Sequence, residues 1–327
     1  MIPSKLKKGD EIRIIAPSCS AKTVDPKFIT LAKEKLESLG FMISFSKNFY
    51  EHDVLNTSDP IKRAEDLNQA FEDKNVKAVI AVRGGFPANE LLELLDYDLI
   101  KRNPKIFCGY SDITALSNAI YAKTGLVTYS GPNFGSFAME KGFQYTLEYF
   151  LKLLTKKDGF EVFPSEFWSE DRWKKDQVNR NFIKNMGPKI FKEGSAEGEI
   201  IGGNMCTLQL LQGTRYYPDL TDKILFLEED GCFEEVFKWV LDRNFTSLMQ
   251  QPNANSIKAI VFGRMQSNSK TTFKELEYIF AKKFKDLNIP IVYNLDFGHT
   301  NPMFTFPIGG WCRIDACSDY FKLKIYN

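Results

Sequence analysis

Short apolar runs alternate along the first half of the chain with stretches of helical periodicity. Residues 11–16 read as a buried strand stopped by Pro17 and Ser18, and a helical pattern over residues 26–39 ends at Gly40. The alternation continues with a strand at 42–46, a helix at 60–71, a strand at 76–82, a helix at 89–95, a short strand at 105–108 and a helix at 113–123. Apolar strands separated by helices predict a parallel sheet covered by helices.

From residue 163 to 192 the periodicity fades into charged and aromatic residues, among them Trp168-Ser169-Glu170-Asp171-Arg172-Trp173. A domain crossing is expected there. The second half then reads as mixed α and β: a helix-like 204–212, a strand at 224–227, a helix at 232–241, a strand at 257–262, a helix at 274–284 and a strand at 289–294. Residues 305–326 show the alternation of a hairpin, with Gly309-Gly310 as its turn. The expected organisation is an N-terminal α/β domain over 1–165, a crossing segment over 166–192, and a C-terminal mixed α/β domain over 193–327.

A length of 327 residues agrees with two domains. Forty-three basic against forty-two acidic residues give a net charge of +1, which removes the broad positive field that a nucleic-acid polymer requires. The N-terminus lacks the apolar core of a signal peptide and no run of about 18 apolar residues occurs, so no membrane partner is expected. Six scattered cysteines without a CxxC pair suit reduced thiols and a cytoplasmic location. With only His52 and His299, a multi-histidine metal centre is not expected, and the phosphate-cradling glycine patterns of nucleotide cofactors are missing.

Four places can carry chemistry. Ser111, in Gly109-Tyr110-Ser111-Asp112-Ile113, lies where a buried strand turns into a helix, which suits a strand-to-helix nucleophile elbow and equally a helix cap. Arg83-Gly84-Gly85 ends another strand, and its paired glycines let backbone approach a ligand or simply form a turn. Glu228 is the member of Glu228-Glu229-Asp230 nearest its apolar strand. His299 follows the strand at 289–294 in a glycine-containing loop, where a structural role is the plain alternative.

These motifs, in order, are Gly9-Asp10-Glu11-Ile12 with Ala16-Pro17-Ser18, Val82-Arg83-Gly84-Gly85, Gly109-Tyr110-Ser111-Asp112-Ile113-Thr114, Ile201-Gly202-Gly203-Asn204, Leu225-Phe226-Leu227-Glu228 and Gly298-His299. Together they make the chain resemble the LD-carboxypeptidase family of serine peptidases, which also contains the microcin C immunity proteins. The resemblance implies a serine peptidase or amidase with a Ser-Glu-His triad of Ser111, Glu228 and His299, working without metal or organic cofactor. It further implies an oxyanion hole from Gly85 and Asp112, substrate contacts from Arg83, Gly84 and Asn204, and a homodimer. Thr128-Tyr129-Ser130-Gly131-Pro132-Asn133-Phe134 and the 168–173 loop resemble the microcin-immunity branch, in which a loop tryptophan meets the nucleotide. Trp168 or Trp173 would fill that role, and an anchoring role is the alternative. Two departures stand out: Phe86-Pro87-Ala88-Asn89 follows the paired glycines, and Glu229 stands where an aspartate is frequent. The expected function is detoxification of an aminoacyl-nucleotide of the microcin C type. Trimming of murein tetrapeptides is the second reading, and a non-catalytic small-ligand binding protein the third.

Overall fold

The structure, a computed structural model, describes residues 1–318 and 320–326. The apolar runs of the first half form β1 (Glu11–Ile15), β2 (Met42–Phe45), β3 (Val76–Ala81), β4 (Ile106–Gly109) and β5 (Thr128–Ser130). They pair in parallel in the order β5-β4-β3-β1-β2. Between them run α1 (Pro26–Ser38), α2 (Pro60–Glu72), α3 (Tyr97–Arg102) and α4 (Thr114–Thr124). The aspartates before α1 and α2 explain their sharp starts. Asp25 and Asp59 each accept a backbone N–H of the first turn, and Pro26 and Pro60 supply the fixed φ of a helix start.

After α5 (Gln144–Thr155) come β6 (Phe160–Val162), a two-stranded ribbon of β7 (Phe167–Trp168) and β8 (Ile183–Lys184), β9 (Lys189–Lys192) and the long β10 (Gly194–Asn204). The chain continues through α6 (Met205–Gln209), β11 (Ile224–Glu228), α7 (Phe237–Met249), β12 (Ala259–Gly263), α8 (Phe273–Lys283) and β13 (Ile291–Leu295). It closes with β14 (Phe306–Ile308), β15 (Trp311–Cys317) and β16 (Tyr320–Ile325). The second sheet has the order β6-β16-β15-β10-β11-β12-β13-β9, with β10 to β13 parallel and both flanks antiparallel. The architecture is mixed α/β with two sheets, as the pattern implied.

Both cores draw on both sheets. Period-2 alternation sends Ile14, Ile80 and Phe226 into one apolar cluster and Val79, Leu225 and Leu227 into the other. The strands also cross the expected boundaries. β6 precedes residue 165 yet pairs with β16, β9 lies in the crossing segment yet pairs with β13, and β14 leaves the second half to pair antiparallel with β5.

Three local expectations are corrected. Gly309-Gly310 is no hairpin turn: it carries the chain from β14 in one sheet to β15 in the other, and the hairpin is β15 with β16. The helix expected over 232–241 begins at Phe237, because residues Gly231–Val236 form a 3-10 segment interrupted at Glu234, whose φ is +46°. The helix expected at 89–95 is a short 3-10 turn, Ala88–Leu91, with α3 following it.

Candidate active site

Ser111 sits between β4 and α4 with φ +65°, a left-handed conformation that costs energy for a residue with a Cβ. Its Oγ lies 3.1 Å from Nε2 of His299. Nδ1 of His299 lies 2.8 Å from Oε2 of Glu228, the last residue of β11, whose carboxylate is buried. Strand ends and the loop after β13 thus bring together three residues separated by up to 188 positions. Gly298 makes the approach possible: its φ is +102°, and a Cβ there would stand 2.7 Å from Oε2 of Glu228.

Electrostatically the site is dominated by carboxylates. Burial disfavours the charged imidazole of His299, but the charge and hydrogen bond of Glu228, then the charges of Asp230 and Glu229, outweigh it and push the pKa up to about 9. Asp230 Oδ2 stands 3.6 Å from Nε2. Glu229 is buried beside Glu228, and burial followed by that neighbouring charge pushes its carboxyl up to about 8. It accepts bonds from Asn204 Nδ2, Cys206 N and Asp230 N at 3.1, 2.9 and 3.1 Å. Glu229 is thus a buried acid that binds its proton more tightly than a free carboxyl although its three N–H partners favour the charged form, a property its place beside Glu228 gave no reason to expect.

β3 and β4 are neighbours, so the Arg83-Gly84-Gly85 loop falls beside Ser111. A Cβ on Gly84 would lie 2.9 Å from Cβ of Ser111 and 3.3 Å from the Asp112 backbone nitrogen. Gly85 packs instead against Ser18 and Cys19. The buried Asp112 side chain accepts from Ser18 Oγ at 2.5 Å and Ala88 N at 2.8 Å, which ties this loop to the start of α4. Arg63, 2% exposed, completes the brace by donating to the carbonyls of Pro17, Ser58 and Pro87. Its position within α2 gave no signal of this.

The site opens into a cleft of about 410 Å³ lined by Tyr110, His299 and the 170–175 segment. Tyr110 adds an aromatic wall, its ring centroid 5.4 Å from that of His299. Of the two tryptophans, Trp173 lines the cleft and also packs on Phe28 of α1 at 5.5 Å. Trp168 stands outside that lining, facing the guanidinium of Arg264 at 5.0 Å. Asn204 is buried and caps α6 through Thr207 while its Nδ2 donates to Glu229. Arg83 donates to Thr23 Oγ1 at 2.9 Å. No group of three or more metal-ligating side chains occurs among the described residues, and no helix there is long and apolar enough to cross a membrane.

A serine on a strand-to-helix turn, hydrogen-bonded to a histidine at the mouth of a cleft between two α/β sheets, defines a serine hydrolase. The chain belongs to the LD-carboxypeptidase family: residues 12–131 match its N-terminal domain and 197–314 its C-terminal domain. It is 48% identical to YocD of Bacillus subtilis over 99% of both chains, and 30% identical to the microcin C7 self-immunity protein MccF of Escherichia coli over 96% of this chain and 93% of that one. The solved structure of an MccF-like protein from Bacillus anthracis superposes with a TM-score of 0.99 at 52% identity, covering 100% of this chain and 99% of that one. MccF itself has been solved with aspartyl sulfamoyl adenosine, at TM-score 0.89, 29% identity and coverage of 100% and 98%.

One of these structures corrects an expectation. An active-site mutant of MccF is defined by replacement of a serine, an asparagine and a lysine by alanine. That finding points to a Ser/Asn/Lys set and overturns the expected definition of the enzyme by a Ser-Glu-His triad. The serine-hydrolase class, which family membership supports, is unaffected.

Proposed function

We propose that this chain hydrolyses an amide-type bond in an aminoacyl-nucleotide through an acyl-enzyme on Ser111. The observation that carries the reading is the Ser111 hydroxyl, 3.1 Å from a nitrogen of His299, which lines a cleft walled by Trp173 and basic residues. Solved relatives support the nucleotide part, since MccF is described in complex with adenosine monophosphate and with aspartyl sulfamoyl adenosine.

In this reading the turn at Ser111 is a nucleophile elbow: the left-handed φ lifts Oγ away from the sheet, and α4 begins just beyond. Oγ attacks the acyl carbonyl while its proton passes to Nε2 of His299. The leaving nitrogen takes that proton, and water then releases the acyl group by the reverse route. Glu228 orients the imidazole through Nδ1. Backbone N–H groups of Gly85 and Asp112 are assigned to the oxyanion, each worth roughly 3 to 4 kcal/mol in comparable sites. Asn204 acts behind this row by fixing Glu229. The expected division becomes functional: residues 1–165 give the nucleophile, 166–192 a cleft wall, and 193–327 the glutamate and histidine. We place the reaction in the cytoplasm, where the six unpaired cysteines stay reduced.

The family name supports a second reading, cleavage of an L,D-peptide of murein. Incubating the protein with an aminoacyl-adenylate analogue and with an L,D-tetrapeptide, and identifying products by mass spectrometry, separates the two. Cleavage of the tetrapeptide alone replaces the first reading by the second, and cleavage of neither removes both.

A further inference from the structure

One wall of the cleft carries cations that no carboxylate of the described chain answers. Its two acids are engaged elsewhere. Glu170 accepts from Ser267 N at 2.7 Å and from Ser267 Oγ, and Asp171 accepts from Arg180 Nε and Asn181 N, both at 2.7 Å. Arg172, Lys174 and Lys175 line the same cleft, and among the described residues none of them pairs with an acid.

Lys174 is the telling member. Its side chain is open to the cleft solvent, with Nζ 5.5 Å from the centre of the Trp173 ring. The protein around it, and then the charge of Arg83, hold its ammonium below the usual range. Among the described residues Arg83 donates to the neutral Thr23 hydroxyl and pairs with no acid, and the next residue, Gly84, packs on Ser111. Lys174 in the cleft wall and Arg83 next to Gly84 are therefore two cations of one site that, among the described residues, have no carboxylate within ion-pair distance. Such an arrangement is unfavourable until an anion enters.

We propose that Lys174 and Arg83 form an anion subsite that selects substrates carrying a negative group one or two bonds beyond the scissile nitrogen. The inference rests on the hydrolase reading above for the bond that is cut, and it names what lies next to that bond. An acylated phosphoramidate places an ionised phosphoryl group directly on the nitrogen, and an L,D-peptide places its terminal carboxylate one carbon further. Both substrate classes thus present the same charge at nearly the same distance, and a neutral amide does not.

Two measurements test this. Adenosine monophosphate and N-acetyl-D-alanine are titrated calorimetrically onto Ser111→Ala protein and onto the same protein carrying Lys174→Met. The methionine variant should bind about tenfold more weakly, the scale of one charge-assisted bond, and Lys174→Arg should restore most of the loss. In the active enzyme, the preference for a free-carboxylate L,D-peptide over its terminal carboxamide should fall about tenfold in Lys174→Met, through KM. Circular dichroism establishes that the variants share the fold. Loss of adenosine monophosphate binding alone assigns the subsite to phosphoryl groups, and loss of N-acetyl-D-alanine alone assigns it to carboxylates. Equal affinity of the lysine and methionine proteins for both probes overturns the subsite. Wild type that hydrolyses neither substrate class, yet binds a probe through Lys174, removes the hydrolase reading and leaves the subsite standing.

Discussion

Replacing Gly298 by alanine should disable the site and leave the rest of the fold assembled. The added Cβ would stand 2.7 Å from Oε2 and 2.9 Å from Cβ of Glu228. Reaching an ordinary contact of roughly 3.5 Å requires the carboxylate or the 298 backbone to yield by about 0.8 Å. The Glu228–His299 bond is 2.8 Å long, so a shift of that size carries it past hydrogen-bonding distance. At φ +102° the alanine also brings backbone strain of about 1 to 3 kcal/mol. A misplacement near 1 Å costs about a hundredfold in rate, so kcat/KM should fall on the order of 10- to 100-fold. With Glu228 displaced, the charge that raises the His299 pKa weakens, and the rising limb of the pH–rate profile should move to lower pH. Steady-state kinetics over a pH series and a thermal melt read all three effects. An alanine variant with wild-type kcat/KM and an unmoved limb would show that the Glu228–His299 contact does not matter to turnover.

Ser111→Ala should abolish turnover, and a fluorophosphonate should label wild type at Ser111 alone; an active alanine variant removes the nucleophile. Because His299 accepts a proton only when neutral, kcat/KM should climb toward about pH 9, and a limb near 6.5 in wild type would contradict the carboxylate environment. The same raised pKa contributes stability that is complete below about 6.5 and lost as pH passes about 9, and Glu229, raised to about 8, acts in the same direction; melting temperature should therefore fall across that window. Trp173→Ala should destabilise by about 3 to 5 kcal/mol and weaken an aminoacyl-adenylate analogue, whereas Trp168→Ala should leave its KM unchanged; the reverse pattern would place the nucleotide against Trp168. Asp296→Ala strands Arg264, 3% exposed in its pair at 2.6 Å, and should cost about 3 to 5 kcal/mol in urea unfolding, a cost that an exposed pair would not show.

The sequence by itself determined the strands that carry the site. β4, β11 and β12 are buried on both faces and appear as nearly unbroken apolar runs, and β1, β3 and β13 are apolar at most positions, so these strands need no knowledge of their neighbours. Ser111 and Glu228 were legible for the same reason, since each follows directly on such a run, and His299 stood out because only two histidines exist. What local pattern could not decide was pairing. Gly309-Gly310 looks like a hairpin turn in any window of ten residues, and only the distant β5 shows that β14 belongs to the other sheet. β9 and the long β10 carry too many charged and small residues to announce themselves, and their order comes from β13, β11 and β15 alongside. The same holds within the site. Glu229 differs from Glu228 by one position and hence by one face of the strand, and its raised pKa comes from burial and from the neighbouring carboxylate, against the opposing bond from the asparagine across the sheet. Trp168 and Trp173 are chemically equal in the sequence, and only packing sends one toward Arg264 and the other into the cleft. Hydrophobic burial is a property that a short window of residues records, whereas strand partners, charge coupling and cleft walls arise between segments up to 188 positions apart and exist only once the chain has closed.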